Sequence, residues 1–228
     1  MLFRSVADTR MRPKPIPGLG EKEVLAPIQE LFADDLHAKR VLSLSHGTLG
    51  VLYGSSMAVH AIGRGLAAAR QRLDRHAVKQ VDRLLSNRGI DLERLGPSWV
   101  QMLLGERKEV YVNLDWTEFD DDHTMLVASV QTDHGRATPL LWRTWKKSEL
   151  NGQRNAHEDE LLTWLRRCVP KDVRVIIVAD RGFADQKLFQ LLVDELGFDY
   201  IIRFKQDTWV TDAKGDRKST RLNSSHRL

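Results

Sequence analysis

The chain has 228 residues, of which 42% are apolar and 29% charged, and its 35 basic and 31 acidic side chains give a formal net charge of +4. This composition excludes a wholly disordered chain and suffices for the cores of one or two domains. The single cysteine, Cys168, excludes an internal disulfide and is typical of a protein of the reducing cytoplasm, while no apolar stretch reaches the roughly 18 residues of a membrane span.

The charge is unevenly divided along the chain. Residues 1–105 carry 15 basic and 10 acidic side chains, whereas residues 106–216 carry 16 basic and 21 acidic ones. A basic first part beside an acidic second part indicates a polyanion-binding module joined to a part that concentrates carboxylates. Two ordinary surfaces whose charges differ by chance remain an equal alternative.

Residues 1–20 are predicted to be an irregular leader, because three prolines and two glycines fall between Pro13 and Gly20. Residues 21–105 are predicted to be a helical domain, since apolar residues such as Val24, Ile28 and Leu31 recur at three- and four-residue spacing. Small residues crowd the middle of this part. We therefore expect short helices in close contact rather than one long rod.

One helix is predicted from about residue 66 to residue 87, with Leu73, Ala77, Val81, Leu84 and Leu85 on its packing side. The opposite side is cationic and carries Arg72, Arg75, His76, Lys79 and Arg83. We interpret this cationic side as a surface that contacts phosphates. A solvated basic face without a ligand is the alternative.

Beyond Gly105 the apolar period changes to two, which predicts strands at 110–114, 124–131 and 137–145, the last two joined by a hairpin turn at 133–136. Asn155 and Glu158 have the spacing of a capping box, and the helix that they open is predicted to end before Pro170. A buried strand at 173–179, a helix at 185–196 closed by Gly197 and a strand at 199–205 complete the pattern. The predicted fold class is α+β: a helical N-terminal domain followed by a mixed sheet flanked by helices.

Two aspartates follow predicted strands. Asp115 ends the first strand, and Asp180 ends the long buried one. If these strands are parallel neighbours, the two carboxylates meet at one edge of the sheet, where oxygen ligands suit Mg²⁺ or Mn²⁺. Two such ions can activate the attacking oxygen and stabilise the leaving oxygen in phosphodiester cleavage.

Three stretches of the sequence, in this order, resemble DDE transposases of the insertion-sequence-four family: HAVKQVDRLLSN at 76–87, NLDWT at 113–117 and ADRGFAD at 179–185. The resemblance covers roughly residues 35–207. It implies a ribonuclease-H-like catalytic core, metal-dependent cleavage at the terminal inverted repeats of a bacterial mobile element, strand transfer into target DNA, and a homodimer on DNA. By position, Asp115 and Asp180 would be catalytic carboxylates and metal ligands, and Arg181 would contact a phosphate.

The resemblance also implies a third carboxylate, a glutamate on a downstream helix, in the pattern Tyr-x2-Arg-x3-Glu-x6-Lys. By letters alone Tyr200, Arg203, Asp207 and Lys214 have this spacing, with Asp207 at the glutamate position. Tyr200 to Lys205 reads as a strand, however, so we assign no third carboxylate and keep Asp207 as a weak candidate.

The sequence therefore predicts four segments: a leader at 1–20, a helical DNA-binding domain at 21–105, an incomplete ribonuclease-H-like core at 106–216, and an unstructured tail at 217–228. The tail resembles translated adaptor or vector sequence. We therefore expect a C-terminally truncated chain whose cleavage activity is impaired. The expected location is the bacterial cytoplasm, at the nucleoid when bound. The alternatives are a non-catalytic DNA-binding remnant of a transposase and an unrelated metal-dependent nuclease.

Overall fold

The structure, a computed structural model, describes residues 16–204, 209–211, 215 and 217–219. The chain divides into two compact units, Met1–Leu95 and Gly96–Leu228, so the division falls before the predicted boundary at residue 105. Over the described residues the first unit is helical and the second combines helices with a mixed sheet, which confirms the predicted α+β class. None of the helices in these ranges is long and apolar enough to cross a bilayer.

The helices of the first unit pack around a small apolar core that includes Val24, Leu49, Leu66 and Val81. In chain order the helices are α1 (Glu21–Phe32), α2 (Ala38–Gly54), α3 (Val59–Arg70), α4 (Asp74–Leu85) and α5 (Leu92–Leu104), of which α5 continues into the second unit. The first helix begins where the predicted leader ends. Residues 1–15 of that leader lie outside the described residues.

Helices α2 and α3 approach each other through glycines. A Cβ atom on Gly65 would meet the carbonyl oxygen of Gly50 and would lie 2.6 Å from the backbone nitrogen of Gly54. Only a residue without a side chain allows the two backbones to come this close. The small residues of this region therefore hold short helices in contact, as the sequence predicts.

The prediction of a single helix over residues 66–87 is wrong, because a turn separates α3 from α4. Gln71 adopts a left-handed conformation with φ of +51°, and its backbone N–H bonds to the carbonyl groups of Ala67 and Ala68 to close α3. Arg72 then lies in the turn, and Leu73 is 60% exposed instead of packed. Left-handed helix caps are usually glycine or asparagine, so a glutamine in this role leaves no signal in the sequence.

The second unit contains a five-stranded sheet in the order β3-β2-β1-β4-β5. Its strands are β1 (Glu109–Glu118), β2 (His123–Gln131), β3 (Ala137–Lys146), β4 (Arg174–Ala179) and β5 (Asp199–Ile202). The first three form an antiparallel meander, and β4 and β5 continue the sheet on the other side of β1 in parallel. The predicted turn between β2 and β3 is present, with Gly135 at φ +73°.

Helix α6 (Arg154–Cys168) makes the crossover from β3 to β4 that a parallel pair requires. Its buried residues recur at helical spacing and pack into the main core; they include Leu161, Leu162, Leu165 and Cys168. The predicted helix at 185–196 is present as α7 (Gln186–Gln190), followed by a π-helical turn, Leu191–Glu195. Gly197 has φ of +62° and takes the predicted left-handed conformation.

Side chains along β1 alternate between the two faces of the sheet. Val110, Val112 and Leu114 are buried on the face that we call the inner face, and they belong to the same core as α6. Tyr111 and Asp115 are exposed on the opposite face, which we call the outer face.

Part of the predicted unstructured tail has regular structure. Residues Arg217–Ser219 form a strand, β7, which pairs antiparallel with Trp209–Thr211, β6. The expectation of an unstructured segment is therefore wrong for these three residues. Residues 220–228 lie outside the described residues.

Candidate active site

Asp115 and Asp180 occupy equivalent positions on neighbouring parallel strands. Leu114 of β1 pairs with Ala179, the last residue of β4. Asp180 follows β4 directly, as predicted, whereas the prediction that Asp115 ends the first strand is wrong, because β1 continues to Glu118 through its pairing with β2. Because both follow an inner-face residue, both lie on the outer-face side, where both are exposed. Neighbouring strands lie about 4.8 Å apart, so the two carboxylates share one small area of the sheet edge.

The backbone after β4 turns sharply at the candidate site. Asp180 accepts a hydrogen bond of 2.7 Å from the backbone N–H of Gly182, and the chain continues as a short 3₁₀ turn over Arg181–Phe183. Phe183 is buried and anchors this turn in the core, while the Arg181 side chain is exposed. The turn therefore fixes Asp180 at the strand end and leaves a cationic side chain beside it.

The donor set at this edge fits a hard divalent cation. Asp115 and Asp180 contribute carboxylate oxygens, and the hydroxyl of Thr117 lies 3.4 Å from the Asp115 carboxylate. Mg²⁺ is commonly held by one or two carboxylates together with waters and substrate phosphates. Within the described residues, no group of three His, Cys, Asp or Glu side chains is placed to hold a metal.

Trp116 anchors the chain beside Asp115 on the inner face. Its Nε1 donates a hydrogen bond of 2.7 Å to Oε1 of Glu158 on α6. Its ring lies 5.5 Å from the ring of Trp145 on β3, and the Arg154 guanidinium stands 5.2 Å from its ring centre. Alternation along β1 thus places a well-held indole on one face and an exposed carboxylate on the other, one residue apart.

Asn155, also on α6, anchors the segment that follows Asp180. Its side-chain amide donates to Oδ2 of Asp185, whose Oδ1 accepts from the backbone N–H of Lys187 at the start of α7. The capping box predicted for Asn155 and Glu158 is therefore wrong: the helix N-cap is Gln153, without a side-chain cap. Both side chains instead contact residues distant in the sequence.

The Glu158 carboxyl lies in an environment that favours its protonated form. Burial raises its pKa, as does the nearby charge of Asp159, while the hydrogen bond from Trp116 partly offsets this. Asp159 has a raised pKa for the same first reason, burial, followed by the charge of Asp185. Acidic side chains thus crowd the first turns of α6.

The predicted cationic surface lies on α4, in the helical unit. Arg75, Lys79 and Arg83 are all exposed and recur every fourth residue, while Ala77 and Val81 on the other side are buried. We call these three basic residues the α4 cationic stripe. Arg72 is exposed in the preceding turn rather than on this helix, although the sequence placed it there.

The structure thus brings together Asp115, Asp180 and Arg181 from the predicted set, and places the α4 cationic stripe in the other unit. Asp207 lies outside the described residues. The supporting contacts of Asn155 and Glu158 were missed, although their spacing on the helix was visible. Searches against models of known protein families and against curated proteins find no match.

Proposed function

We propose that the chain is a DDE transposase of a bacterial insertion sequence, in which Asp115 and Asp180 hold Mg²⁺ or Mn²⁺ for phosphodiester cleavage at transposon ends and for strand transfer. The observation that carries the proposal is the register of the adjacent parallel strands β1 and β4, in which the exposed residues Asp115 and Asp180 follow the paired residues Leu114 and Ala179. The motifs NLDWT and ADRGFAD, which resemble the transposase family, surround the same two residues. A mixed sheet crossed by α6 supports a ribonuclease-H-like core.

The residues of the site each have a defined task in this proposal. Asp115 and Asp180 bind through exposed carboxylate oxygens, and Arg181 offers a positive charge to a phosphate of the DNA strand. Asp115 and Asp180 would hold the divalent cations, and the chemistry supplied by bound cations would be activation of the attacking oxygen and stabilisation of the leaving one. In the helical unit, the α4 cationic stripe contacts DNA phosphates, and two chains act together on DNA as a homodimer.

A non-catalytic DNA-binding protein is the second candidate. It is favoured by one observation: the described residues bring two carboxylates together, whereas the transposase resemblance implies three. In this case the α4 cationic stripe would recognise transposon ends without cleavage. The two candidates share DNA binding and differ in metal-dependent chemistry.

The first experiment measures Mn²⁺ binding to the full chain by electron paramagnetic resonance. We expect the wild-type protein to bind Mn²⁺, and Asp115→Asn and Asp180→Asn each to lose that binding. Asp172→Asn is the matched control, because Asp172 is an exposed carboxylate just before β4, paired with Lys108. Binding by Asp180→Asn equal to that of the wild type would refute the metal site.

The second experiment incubates the protein and Mg²⁺ with DNA that carries the inverted repeats flanking its coding sequence, and with a scrambled duplex. Cleavage that requires the repeats supports the transposase. Cleavage of both duplexes would indicate a general metal-dependent nuclease, and repeat-specific binding without cleavage would favour the second candidate.

A further inference from the structure

Two residues on the first turns of α6 reach the two chain segments that carry the candidate active-site aspartates. Glu158 binds Trp116, the residue after Asp115, and Asn155 binds Asp185, which ends the turn that begins at Asp180. These contacts join residues that are 42 and 30 positions apart in the sequence. One rigid helix therefore contacts both halves of the site from the inner side of the sheet.

The contact with Trp116 fixes one side of the site. Trp116 is held by a hydrogen bond, by the ring of Trp145 and by the guanidinium of Arg154. Consecutive strand residues project to opposite faces, so a fixed indole at position 116 also fixes the backbone from which Asp115 projects. Glu158 is 6% exposed and accepts this hydrogen bond from within the protein, away from competing water.

The contact with Asp185 fixes the other side. The segment between Asp180 and Asp185 is short: the first binds the backbone of Gly182, and the second binds the backbone of Lys187 and the amide of Asn155. Without the Asn155 contact, the Asp185 side chain would keep its hydrogen bond to the backbone of Lys187 in α7 but would lose its hydrogen bond to α6. Asn155 thus anchors the far end of the loop that presents Asp180 and Arg181, in addition to the buried Phe183 in its middle.

We propose that Asn155 and Glu158 are positioning residues of the two-aspartate site, which hold the Asp115 and Asp180 segments at the spacing that a divalent cation requires. This inference rests on the proposed function, because it concerns the same metal site. Partners that orient metal ligands commonly change metal affinity by about 10- to 100-fold when they are removed. Neither residue touches the metal or the substrate in this scheme.

The test is the Mn²⁺ affinity of the full chain, measured by electron paramagnetic resonance at a temperature where circular dichroism shows every variant to be folded. Asn155→Asp places two carboxylates against each other, and we expect a loss of affinity of about 10-fold or more. The double variant Asn155→Asp with Asp185→Asn restores the pair with donor and acceptor exchanged. We expect it to recover most of the wild-type affinity.

Glu158 is tested in parallel. Glu158→Gln keeps an acceptor for Trp116, and we expect wild-type affinity, whereas Glu158→Leu removes the acceptor and should lower affinity. Glu160→Leu is the matched control, since Glu160 lies on the same helix and pairs with Arg143 of β3. We expect this control to bind Mn²⁺ like the wild type.

Three outcomes would overturn the inference. If Asp180→Asn loses Mn²⁺ binding but Asn155→Asp and Glu158→Leu retain it, the metal site stands and the positioning role is wrong. If the double variant fails to recover affinity while it remains folded, the Asn155–Asp185 contact is not the cause. If Asp180→Asn itself binds like the wild type, the proposed function fails and the positioning role fails with it.

Discussion

Glu158 accepts a hydrogen bond of 2.7 Å from Trp116, and among the described residues Glu158 is the one acidic side chain that is buried. A carboxylate in such a place is stabilised by its donor and destabilised by the loss of water. The balance at Glu158 raises its pKa. This single contact leads to two predictions about stability that do not depend on any function.

The first prediction concerns pH. Because the folded protein holds the Glu158 proton more tightly than the unfolded chain does, the contribution of this residue to stability falls as pH rises from about its ordinary pKa of 4.5 through the raised folded value. The slope reaches up to about 1.4 kcal/mol per pH unit. Glu158→Gln has no such proton, so its stability relative to the wild type should increase over this interval. Urea unfolding between pH 4 and pH 7 measures the difference, and parallel pH profiles for the two proteins would contradict it.

The second prediction concerns the donor. Trp116→Phe leaves the buried Glu158 without its indole N–H, and we expect a loss of about 1–3 kcal/mol in the free energy of unfolding. Trp142→Phe is the control, because Trp142 is 48% exposed, and it should change stability by less than about 0.5 kcal/mol. Urea unfolding at pH 7 compares the two variants. Equal effects would mean that the hydrogen bond contributes nothing measurable.

The third prediction concerns the close approach of α2 and α3. Gly65→Ala forces a methyl group against the backbone of α2 at Gly50 and Gly54, and we expect a destabilisation of about 1–3 kcal/mol. Gly89→Ala is the control: the nearest atoms to its methyl group would be those at the end of the flexible Arg40 side chain. Thermal unfolding should show a lower midpoint for the first variant than for the second. A midpoint for Gly65→Ala at or above that of Gly89→Ala would contradict the packing described.

The fourth prediction concerns DNA. The triple variant Arg75→Glu, Lys79→Glu and Arg83→Glu reverses the charge of the α4 cationic stripe and should weaken DNA binding. The slope of the logarithm of the binding constant against the logarithm of the salt concentration should become shallower by about 0.9 for each DNA phosphate that the stripe no longer neutralises. Lys22→Glu, Lys39→Glu and Arg88→Glu form the control, since these three residues are exposed in the same unit. Fluorescence anisotropy at several salt concentrations measures both. A wild-type slope in the α4 variant would exclude this stripe as the DNA-binding surface.

The elements of the sheet were predictable because local periodicity determines them. The alternation from Val110 onward and the apolar run that ends at Ala179 predict β1 and β4, and the aspartate that interrupts each apolar pattern marks the candidate site, although β1 continues beyond Asp115 to Glu118. The adjacency of the two strands was only a condition in the sequence argument. The pairing of Leu114 with Ala179 fulfils it.

The errors have physical causes that a single sequence does not reveal. The break at Gln71 depends on a left-handed residue that is neither glycine nor asparagine. The spacing of Asn155 and Glu158 fits a local capping box, but each side chain finds a partner brought near by the sheet. The side-chain atoms that a local capping box would use are engaged by these distant partners instead, so the capping box does not form.

The parallel pairing of β1 with β4 has a consequence for the order of folding. Asp115 and Asp180 come together only after the chain between them, including the β2–β3 hairpin and α6, has closed a long loop. Pairings of such high sequence separation carry a large entropic cost and form slowly compared with hairpins and helices. The β1–β2–β3 meander on its own therefore contains one half of the candidate site, and a nascent chain completes the pair of aspartates only once β4 has docked beside β1.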